Sequence, residues 1–240
     1  MRALILAAGR GRRMGGLTNK IPKCYVKLFN KKLIDWQFDS LQDPKIEDYA
    51  IVTGYLNQLF HYNVNYFHNS NWKKTNMVRS LLCASNWLKM GTCIISYSDI
   101  IFSKSITKQL IESKGDIIIT YDPNWLKLWK LRFDNPLDDA ETFITNRNFL
   151  VKIGSKTKTI SDIKGQYMGL LKFTKLGWKI IYDYLMTLSQ EKISKMDMTM
   201  LLQELLNQNV KINCVKINGN WLEVDSLSDL NVYHNRFDKK

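Results

Sequence analysis

A short apolar run followed at once by a glycine-rich, basic loop is the feature that most constrains the fold of this chain. Residues 3–8 (ALILAA) are apolar without helical spacing, and Gly9, Gly11, Gly15 and Gly16 follow them. A run of this length that ends on glycine predicts a buried strand. Glycines allow a backbone that turns several N–H groups toward one anion, and basic residues stand at positions 10, 12, 13, 20 and 23. The stretch therefore predicts a polyphosphate-binding loop at the end of a central strand.

Two better-known phosphate-binding motifs are excluded, each by one residue. A dinucleotide-binding Gly-x-Gly-x-x-Gly that starts at Gly9 needs a third glycine where Met14 stands. A P-loop that starts at Gly11 needs lysine where Leu17 stands. What remains is the longer pattern LAAGRGRRM over residues 6–14. The alternative interpretation is a glycine-rich turn with solvated basic residues.

Length and composition predict a globular chain with a sizeable core. The 240 residues are 45% hydrophobic and 24% charged, and we expect one domain over residues 1–240. No apolar run approaches the roughly 20 residues that span a bilayer. The first residues lead straight into the strand that carries the loop, without the order of a signal peptide, so we expect a cytoplasmic protein with no membrane partner. The four cysteines are scattered and indicate neither a disulfide framework nor a zinc site.

The charge balance is strongly basic. Lys and Arg total 35 against 22 Asp and Glu, a formal net charge of +13. Nucleic-acid binding is one interpretation of such a charge, and strong salt-dependent DNA binding would favour it. No recognition helix, zinc finger or RNP-like aromatic pair accompanies the charge, however. Steering of phosphorylated substrates is the simpler interpretation, and no nucleic-acid partner is expected.

Strand and helix patterns alternate along most of the chain. Buried strands are predicted over 48–53, 64–67, 92–97, 116–122, 167–173, 210–217 and 221–224. Helices are predicted over 33–41, 58–62, 177–188 and 197–206, after a cap at 75 or 76, and after a Ser226-x-x-Asp229 capping box. This order predicts an α/β fold, a three-layer α/β/α arrangement around a mixed, mostly parallel sheet. Residues 122–166 are expected to form a small β insertion that flanks the substrate crevice, with strands at 141–145 and 149–153.

Charged residues that suit phosphate chemistry follow the predicted strands. Asp99 and Asp225 each come directly after a strand, where ligands of α/β sheets bind. Carboxylates are ligands of Mg²⁺, so these two predict a metal site; for Asp225 the alternative is a helix cap. Lys23 and Arg13, in and beside the loop, are expected to bind the phosphate groups of the ligand.

The loop pattern, followed by Thr18 and the pair Pro22-Lys23, resembles the signature of nucleotidyltransferases that join a nucleoside triphosphate to a phosphorylated small molecule. Further blocks resemble the phosphocholine cytidylyltransferase-like family, which is similar to cytidylyltransferases of phosphocholine, 2-aminoethylphosphonate and phosphorylated glutamine. These blocks are Gly54-Tyr55-Leu56, Thr75-Asn76-Met77-Val78, Ser80-Leu81, Ser98-Asp99, Asp138 to Thr142, Gln166 to Leu170 and Glu223-Val224-Asp225-Ser226. The resemblance covers the whole chain and implies the Rossmann-like nucleotidyltransferase fold.

The resemblance also implies CTP as the nucleotide and Mg²⁺ as the cofactor. It places cytosine against the backbone of residues 6–9 and of Gly54 and Tyr55, with Asn76 and Ser80 hydrogen-bonding nearby. An N-cap is the alternative role of Asn76. The expected nucleotide-binding residues are Leu6, Ala7, Ala8, Gly9, Gly11, Arg13, Gly54, Tyr55, Asn76, Ser80 and Ser98.

The acceptor side is predicted from aromatic and acidic residues. Trp125, Trp129, Tyr167 and Trp221 are one set of candidates for an aromatic wall around an ammonium group; the alternative is that the tryptophans only cover the insertion. Acidic residues at 138, 139 and 141 would attract the same group. The expected acceptor-binding residues are Lys23, Trp129, Arg132, Asp138, Glu141, Tyr167 and Gly169.

Together these patterns predict a Mg²⁺-dependent cytidylyltransferase that acts on a small phosphorylated or phosphonylated amine or amino acid, with Lys23, Arg13, Asp99 and Asp225 as catalytic residues. The resemblance suggests a pathway of surface glycans, such as capsule, or of lipid head groups. Two alternatives remain open: a uridylyl- or thymidylyltransferase of sugar 1-phosphates, and a non-catalytic nucleotide-binding protein. The residues also leave open whether the chain forms a homodimer.

Overall fold

The apolar run near the start of the sequence forms the central strand, Arg2–Ala7, of a nine-stranded sheet. Its side chains alternate between two hydrophobic clusters: Ala3 and Ile5 lie in one, and Leu4 and Leu6 in the other. Because both faces of this strand are buried, it is apolar throughout rather than alternately polar. A sheet of this kind needs helices on both sides, and these form the outer two of three layers.

The structure, a computed structural model, describes residues 1–237. The strands of this range are β1 (Arg2–Ala7), β2 (Lys27–Leu28), β3 (Lys31–Lys32), β4 (Asp48–Thr53), β5 (Asn65–His68), β6 (Cys93–Tyr97), β7 (Ile100–Phe102), β8 (Ile117–Asp122), β9 (Phe143–Asn146), β10 (Phe149–Ile153), β11 (Gln166–Phe173), β12 (Asn213–Lys216) and β13 (Trp221–Glu223). The α-helices are α1 (Leu33–Leu41), α2 (Met77–Cys83), α3 (Ser85–Leu88), α4 (Lys104–Glu112), α5 (Trp125–Arg132), α6 (Lys175–Met186), α7 (Gln190–Lys195), α8 (Met198–Asn207) and α9 (Leu227–Phe237).

The main sheet is mixed and largely parallel, which confirms the predicted fold class. Its strand order is β5-β4-β1-β6-β11-β8-β12-β10-β9. Strands β5, β4, β1 and β6 are mutually parallel, as are β8 and β12. Strand β11 runs antiparallel between β6 and β8, and β9 and β10 pair antiparallel at the edge. The carboxyl ends of β1, β4 and β6 therefore meet at one edge of the sheet.

The helices pack on the two faces through apolar stripes. Helices α1, α4, α5 and α9 contribute buried residues to one hydrophobic cluster, and α2, α3, α6, α7 and α8 to the other. The predicted Ser226-x-x-Asp229 capping box is confirmed at the start of α9, because Ser226 N donates to Asp229 Oδ2 and Asp229 N donates to Ser226 Oγ. Within residues 1–237, no helix combines the length and apolar character needed to cross a membrane.

Two of the predicted stretches differ from the sequence-based expectation. The segment 122–166 begins with helix α5 rather than with β structure, and only β9 and β10 match the expected strands. The reason is helical spacing: Trp125, Leu128 and Trp129 all bury onto the core from one face of α5. The expected helix at 58–62 is only a 3₁₀ turn at Asn57–Leu59.

Candidate active site

The loop after β1 is held in shape by hydrogen bonds to one carbonyl. Met14 N donates to Gly11 O at 3.0 Å, and Thr18 Oγ1 donates to the same oxygen at 3.1 Å. Gly11 has a φ of 69°, and a Cβ at this position would lie 2.7 Å from Lys23 Cβ. Glycine is therefore required at position 11 both for the backbone conformation and for the close approach of Lys23.

A small cavity of about 130 Å³ lies beside the carboxyl end of β1. Its lining includes five of the residues expected to bind the nucleotide. The lining residues are Leu6, Ala8, Gly9, Trp72, Thr75, Asn76, Met77 and Ser80. Asn76 is the N-cap of α2, and its side chain accepts a hydrogen bond from Met77 N. Ser80 is buried and its Oγ accepts from Asn69 Nδ2 at 3.0 Å. The cavity thus combines apolar walls with fixed polar groups, as a base-binding pocket does.

The end of β4 is clamped to the glycine-rich loop. Tyr55 N donates to Ala8 O at 3.0 Å, and its hydroxyl donates to Thr18 O at 2.8 Å and to Asn19 O at 2.9 Å. A Cβ at Gly54 would lie 2.6 Å from Ala8 O, so only glycine allows this approach. Two of the expected nucleotide-binding blocks are therefore joined into one wall.

Lys23, Asp99 and Asp225 meet at the same edge of the sheet. Lys23 Nζ lies 2.7 Å from Asp99 Oδ2 and 2.5 Å from Asp225 Oδ1. The two aspartates are also tied through the backbone, because Val224 N donates to Asp99 O at 2.8 Å. Arg13 forms an ion pair with the second oxygen of Asp225, and its side chain is 64% exposed. Residues 202 positions apart thus form one charged cluster beside the glycine-rich loop.

Burial and opposite charge shift the pKa values in this cluster. Burial alone would lower the pKa of Lys23, but the attraction of Asp99 and Asp225 outweighs burial and raises it. Burial would raise the pKa of Asp225, but Lys23 and Arg13 lower it. Lysine is held charged and Asp225 is held ionised, so the cluster presents fixed charges to phosphate groups.

The donor set fits a hard divalent cation that phosphate oxygens help to hold. Asp99 Oδ1 is buried and has no hydrogen-bond partner among the described residues. Within residues 1–237, no group of three or more His, Cys, Asp or Glu side chains is arranged to hold a metal. Mg²⁺ usually takes one or two carboxylates, and substrate phosphates and water supply the rest. Asp99 and Asp225 match that requirement.

The remaining nucleotide-binding candidates lie close to this cluster. Ala7 is buried at the end of β1, and Ser98 precedes Asp99 in the turn between β6 and β7. Their backbones therefore lie at the sheet edge that carries the charged residues. The structure brings all of the expected nucleotide-binding residues to this one edge.

Of the other acceptor candidates, Tyr167 and Gly169 contact the end of β6, and Asp138 and Glu141 lie in the segment that follows α5. The Tyr167 ring packs edge-to-face on the Tyr97 ring, with centroids 5.7 Å apart, and Gly169 lies against the same ring. Asp138 accepts a hydrogen bond from Asn135 within its own turn. Burial, together with the charge of a nearby aspartate, raises the pKa of Glu141. Tyr167 and Gly169 are thus placed beside β6, the strand that leads to the turn with Ser98 and Asp99.

Trp129 and Arg132 lie in the core, which corrects their expected place in the acceptor pocket. Both are on the buried face of α5, and the Arg132 guanidinium is 5.1 Å from the Trp129 ring centroid. The Arg132 side chain is only 1% exposed and pairs with Glu223 and Asp229. Its donors are directed at these carboxylates, so it does not offer a free cation to an acceptor phosphate. The expected aromatic wall also loses Trp125 and Trp221, which are buried.

Glu223 is a charged residue of this region that the sequence analysis did not select. Its Oε2 lies 2.5 Å from Arg132 NH1, and its side chain is 25% exposed. Burial, opposed by Arg132 and reinforced by Asp99 and Asp225, raises the pKa of Glu223 to about 7. The available signal was its position at the end of the last strand, two residues before Asp225.

Comparison with known proteins finds matches over almost the whole chain. The model of the MobA-like NTP transferase domain family matches residues 3–131, which include the glycine-rich loop, Lys23 and Asp99. The CTP:phosphoglutamine cytidylyltransferase of Campylobacter jejuni subsp. jejuni is 36% identical over 255 aligned residues, which cover 97% of this chain and 98% of the relative. Asp225 lies outside residues 3–131, which the family model matches. The alignment with the Campylobacter relative covers 97% of this chain.

Two solved structures share the fold. The inositol-1-phosphate CTP transferase from T. maritima superposes with a TM-score of 0.76 at 18% identity, covering 96% of this chain and 94% of that one. The CTP:phosphocholine cytidylyltransferase from Streptococcus pneumoniae gives a TM-score of 0.70 at 19% identity, covering 98% and 97%. At these identities the likeness concerns the fold alone.

Proposed function

The chain belongs to the family of MobA-like NTP transferases, and from this premise we propose that it transfers a cytidylyl group from CTP to a small phosphorylated or phosphonylated amine or amino acid. As a member of this family it is a nucleotidyltransferase, and the activity of the 36% identical relative supports CTP as the donor. The observation that carries the proposal is the meeting of Lys23, Asp99 and Asp225 beside the glycine-rich loop. The products are a CDP-linked molecule and pyrophosphate.

In this proposal the cavity beside β1 holds the base. Asn76 and Ser80 supply polar groups, and the backbone at Ala8 and Gly9 lines the opposite wall. The triphosphate then extends along the loop that Gly11 opens, where basic side chains surround it. The walls formed by β1, β4 and α2 orient the nucleotide so that its α-phosphate lies near Lys23.

The cofactor of the proposed reaction is Mg²⁺, held by Asp99 and Asp225. When bound there, Mg²⁺ neutralises phosphate oxygens and orients the triphosphate for displacement. The buried and unpartnered oxygen of Asp99 supports this assignment. Asp225 is kept ionised by its neighbours, as a metal ligand must be.

The chain's own residues supply positive charge where negative charge develops. Lys23 stabilises the charge on the α-phosphate as the acceptor oxygen attacks. Arg13, whose exposed side chain has room to reorient, binds the β- and γ-phosphates. A P–O bond forms between the acceptor oxygen and the α-phosphorus, the bond from the α-phosphorus to the bridging oxygen breaks, and pyrophosphate leaves. No proton has to be removed, because the attacking oxygen is already ionised at neutral pH.

We assign the acceptor to the side of the crevice that carries acidic residues. Asp139 lies 3.7 Å from Arg13, so the segment 138–141 adjoins the catalytic cluster. Asp138 and Glu141 add negative charge to that segment, and Tyr167 supplies an aromatic surface. Acidic and aromatic groups attract an ammonium. This favours an acceptor that carries an ammonium group over the phosphate of an uncharged sugar. We place the reaction in the cytoplasm.

The test is pyrophosphate release with each of the four nucleoside triphosphates and a panel of acceptors. The panel contains phosphocholine, 2-aminoethylphosphonate, phosphoglutamine and glucose 1-phosphate. We expect turnover to be fastest with CTP and an amino-bearing acceptor, and to need a divalent cation. Faster turnover with glucose 1-phosphate than with every amino-bearing acceptor would overturn the acceptor class, and preference for another triphosphate would overturn the donor.

A further inference from the structure

We propose that Asp229, held by the buried Arg132, is a positioning residue that fixes the backbone from which the Asp225 carboxylate reaches the catalytic cluster. The inference rests on the proposed function, because that function gives Asp225 its role. It adds two residues to the machinery: Arg132, whose side chain is in the core, and Asp229, which lies in the first turn of α9.

Asp229 accepts hydrogen bonds from two consecutive backbone amides, those of Asp225 and Ser226. Its Oδ2 lies 2.8 Å from Asp225 N and 2.9 Å from Ser226 N. The bond to Ser226 belongs to an ordinary capping box, but the bond to Asp225 N reaches beyond it. That second bond joins the helix start directly to the residue whose carboxylate pairs with Lys23.

Arg132 holds the Asp229 carboxylate from the opposite side. Its Nε donates to Asp229 Oδ1 at 3.0 Å and its NH2 donates to Oδ2 at 3.4 Å, a bidentate arrangement that fixes the plane of the carboxylate. The side chains are 1% and 2% exposed, so neither charge is compensated by solvent. The guanidinium also lies over the Trp129 ring at 5.1 Å and the Phe133 ring at 5.0 Å. These contacts fix the position of the guanidinium, and the guanidinium in turn fixes the position of the Asp229 carboxylate.

The segment before Asp225 is fixed in the same way. Val224 N donates to Asp99 O at 2.8 Å, and Tyr233 Oη donates to Glu223 O at 2.9 Å. Asp225 N is the next amide along the chain, and Asp229 is its acceptor. Loss of that acceptor frees the backbone at the residue where the carboxylate has to be positioned. Loss of a partner that orients a metal ligand typically costs ten- to a hundredfold in metal affinity or activity.

The chain offers a matched control at the same helix terminus. Ser226 Oγ accepts from Asp229 N at 3.2 Å and so caps α9, but this hydroxyl does not bind the backbone of Asp225. Ser226→Ala removes a cap and the contact of its hydroxyl with Ser228 Oγ, and it leaves the acceptor of Asp225 N in place. Asp229→Ala removes a cap, the acceptor of Asp225 N and one carboxylate partner of Arg132. Asp229→Asn keeps one oxygen acceptor but loses the charge that pairs with Arg132.

The experiment compares these three variants with the wild type by three measurements. The first is kcat and KM for CTP; the second is binding of Mn²⁺ in the presence of CTP, followed by electron paramagnetic resonance; the third is amide hydrogen exchange of residues 224–226 without metal. For Asp229→Ala we expect kcat and Mn²⁺ affinity to fall ten- to a hundredfold, KM for CTP to change less than threefold, and exchange to accelerate. For Asp229→Asn we expect losses of about three- to tenfold. Ser226→Ala should match the wild type in kcat and Mn²⁺ affinity.

The positioning role is overturned if Asp229→Ala equals Ser226→Ala in kcat, Mn²⁺ affinity and exchange. Where Asp229→Ala does not fold, Asp229→Asn decides: values within twofold of Ser226→Ala overturn the proposal. Asp225→Asn separates this outcome from failure of the proposed function. If Asp225→Asn keeps wild-type turnover and Mn²⁺ affinity, the function assigned to Asp225 is wrong, whatever Asp229 does.

Discussion

Replacing Lys23 by methionine removes the cation that Asp99 and Asp225 share. Methionine keeps an unbranched apolar stem of similar length, so the packing of the stem is largely preserved. What changes is charge: two carboxylates, each now within 2.7 Å of Lys23 Nζ, face each other without that ammonium. We expect the variant to lose both stability and activity, for separate reasons.

The size of the stability loss follows from burial. Removing one partner of a buried ion pair costs about 3–5 kcal/mol. The Asp99 side chain is 21% exposed and Arg13 still pairs with Asp225, so we expect the lower end, about 3 kcal/mol at pH 7. The activity loss has another origin, because Lys23 acts on charge that develops in the transition state. Loss of one such donor lowers kcat by roughly 10²- to 10³-fold.

The stability loss should depend on pH with a defined sign. Burial opposes ionisation of Asp225, but Lys23 and Arg13 lower its pKa below the usual value of 3.8. Its stabilising contribution is therefore present above pH 3.8 and is lost as the pH falls through the folded-state pKa. Lys23 has a pKa raised above 10.5, so its contribution is present below that pH and is lost as the pH rises further. The difference between wild type and variant should be largest between about pH 4 and pH 10 and should shrink on both sides.

The assay is urea unfolding of both proteins at pH 3, 7 and 11, together with steady-state pyrophosphate release at pH 7. Lys20→Met is the matched control, because Lys20 is an exposed lysine near the same loop. We expect the control to keep stability within about 0.5 kcal/mol and to keep most of its activity. A Lys23→Met protein as stable at pH 7 as the control, or one that retains kcat within tenfold, would refute the reasoning.

Two further predictions concern a close backbone approach and a raised pKa. Gly54→Ala places a Cβ 2.6 Å from Ala8 O and 2.8 Å from Trp72 Cβ, so we expect a loss of about 1–3 kcal/mol in thermal unfolding and weaker CTP binding. Gly91→Ala, whose Cβ would make only a 3.8 Å contact, should leave both unchanged; equal effects of the two would contradict the steric argument. Burial raises the pKa of Glu223 to about 7 from 4.5, so the folded state binds more protons and the unfolding free energy should fall as pH rises between these values. Glu223→Gln should reduce that fall in urea titrations at pH 4.5 and 7.5, and an unchanged slope would contradict the raised pKa.

The sequence was sufficient to predict those parts of the fold and the site that depend on neighbouring residues or on residues at the ends of strands. The apolar run of β1 and the glycines after it predicted a buried strand and a loop, and the structure has both. Asp99 could be placed from sequence because it follows β6, a strand of the parallel part of the sheet. Asp225 was paired with it because it follows the last predicted strand, although that strand, β13, pairs antiparallel with β7 outside the main sheet. The resemblance of the blocks around Gly54 and Asn76 added the wall of the nucleotide pocket.

The sequence was insufficient where a charged side chain is buried by tertiary packing. Arg132 was expected among the acceptor-binding residues, and arginine does commonly bind phosphate groups. Its partner Asp229 is 97 positions away, and no local pattern joins the two. One available signal was that Trp125, Leu128, Trp129 and Arg132 share a helical face, which places the arginine among core residues.

The central claim is that Lys23, Asp99 and Asp225 form one catalytic centre for cytidylyl transfer, and the most direct test is single-turnover formation of the CDP-linked product by Asp99→Asn. Phosphorus NMR of CTP with the best acceptor follows the α-phosphorus from triphosphate to product. The control is Asp39→Asn, because Asp39 lies on α1 and its side chain is more exposed than that of Asp99. This variant should react like the wild type. We expect Asp99→Asn to fold but to form product at least about 10²-fold more slowly than the wild type. A rate within tenfold of the wild type would contradict it.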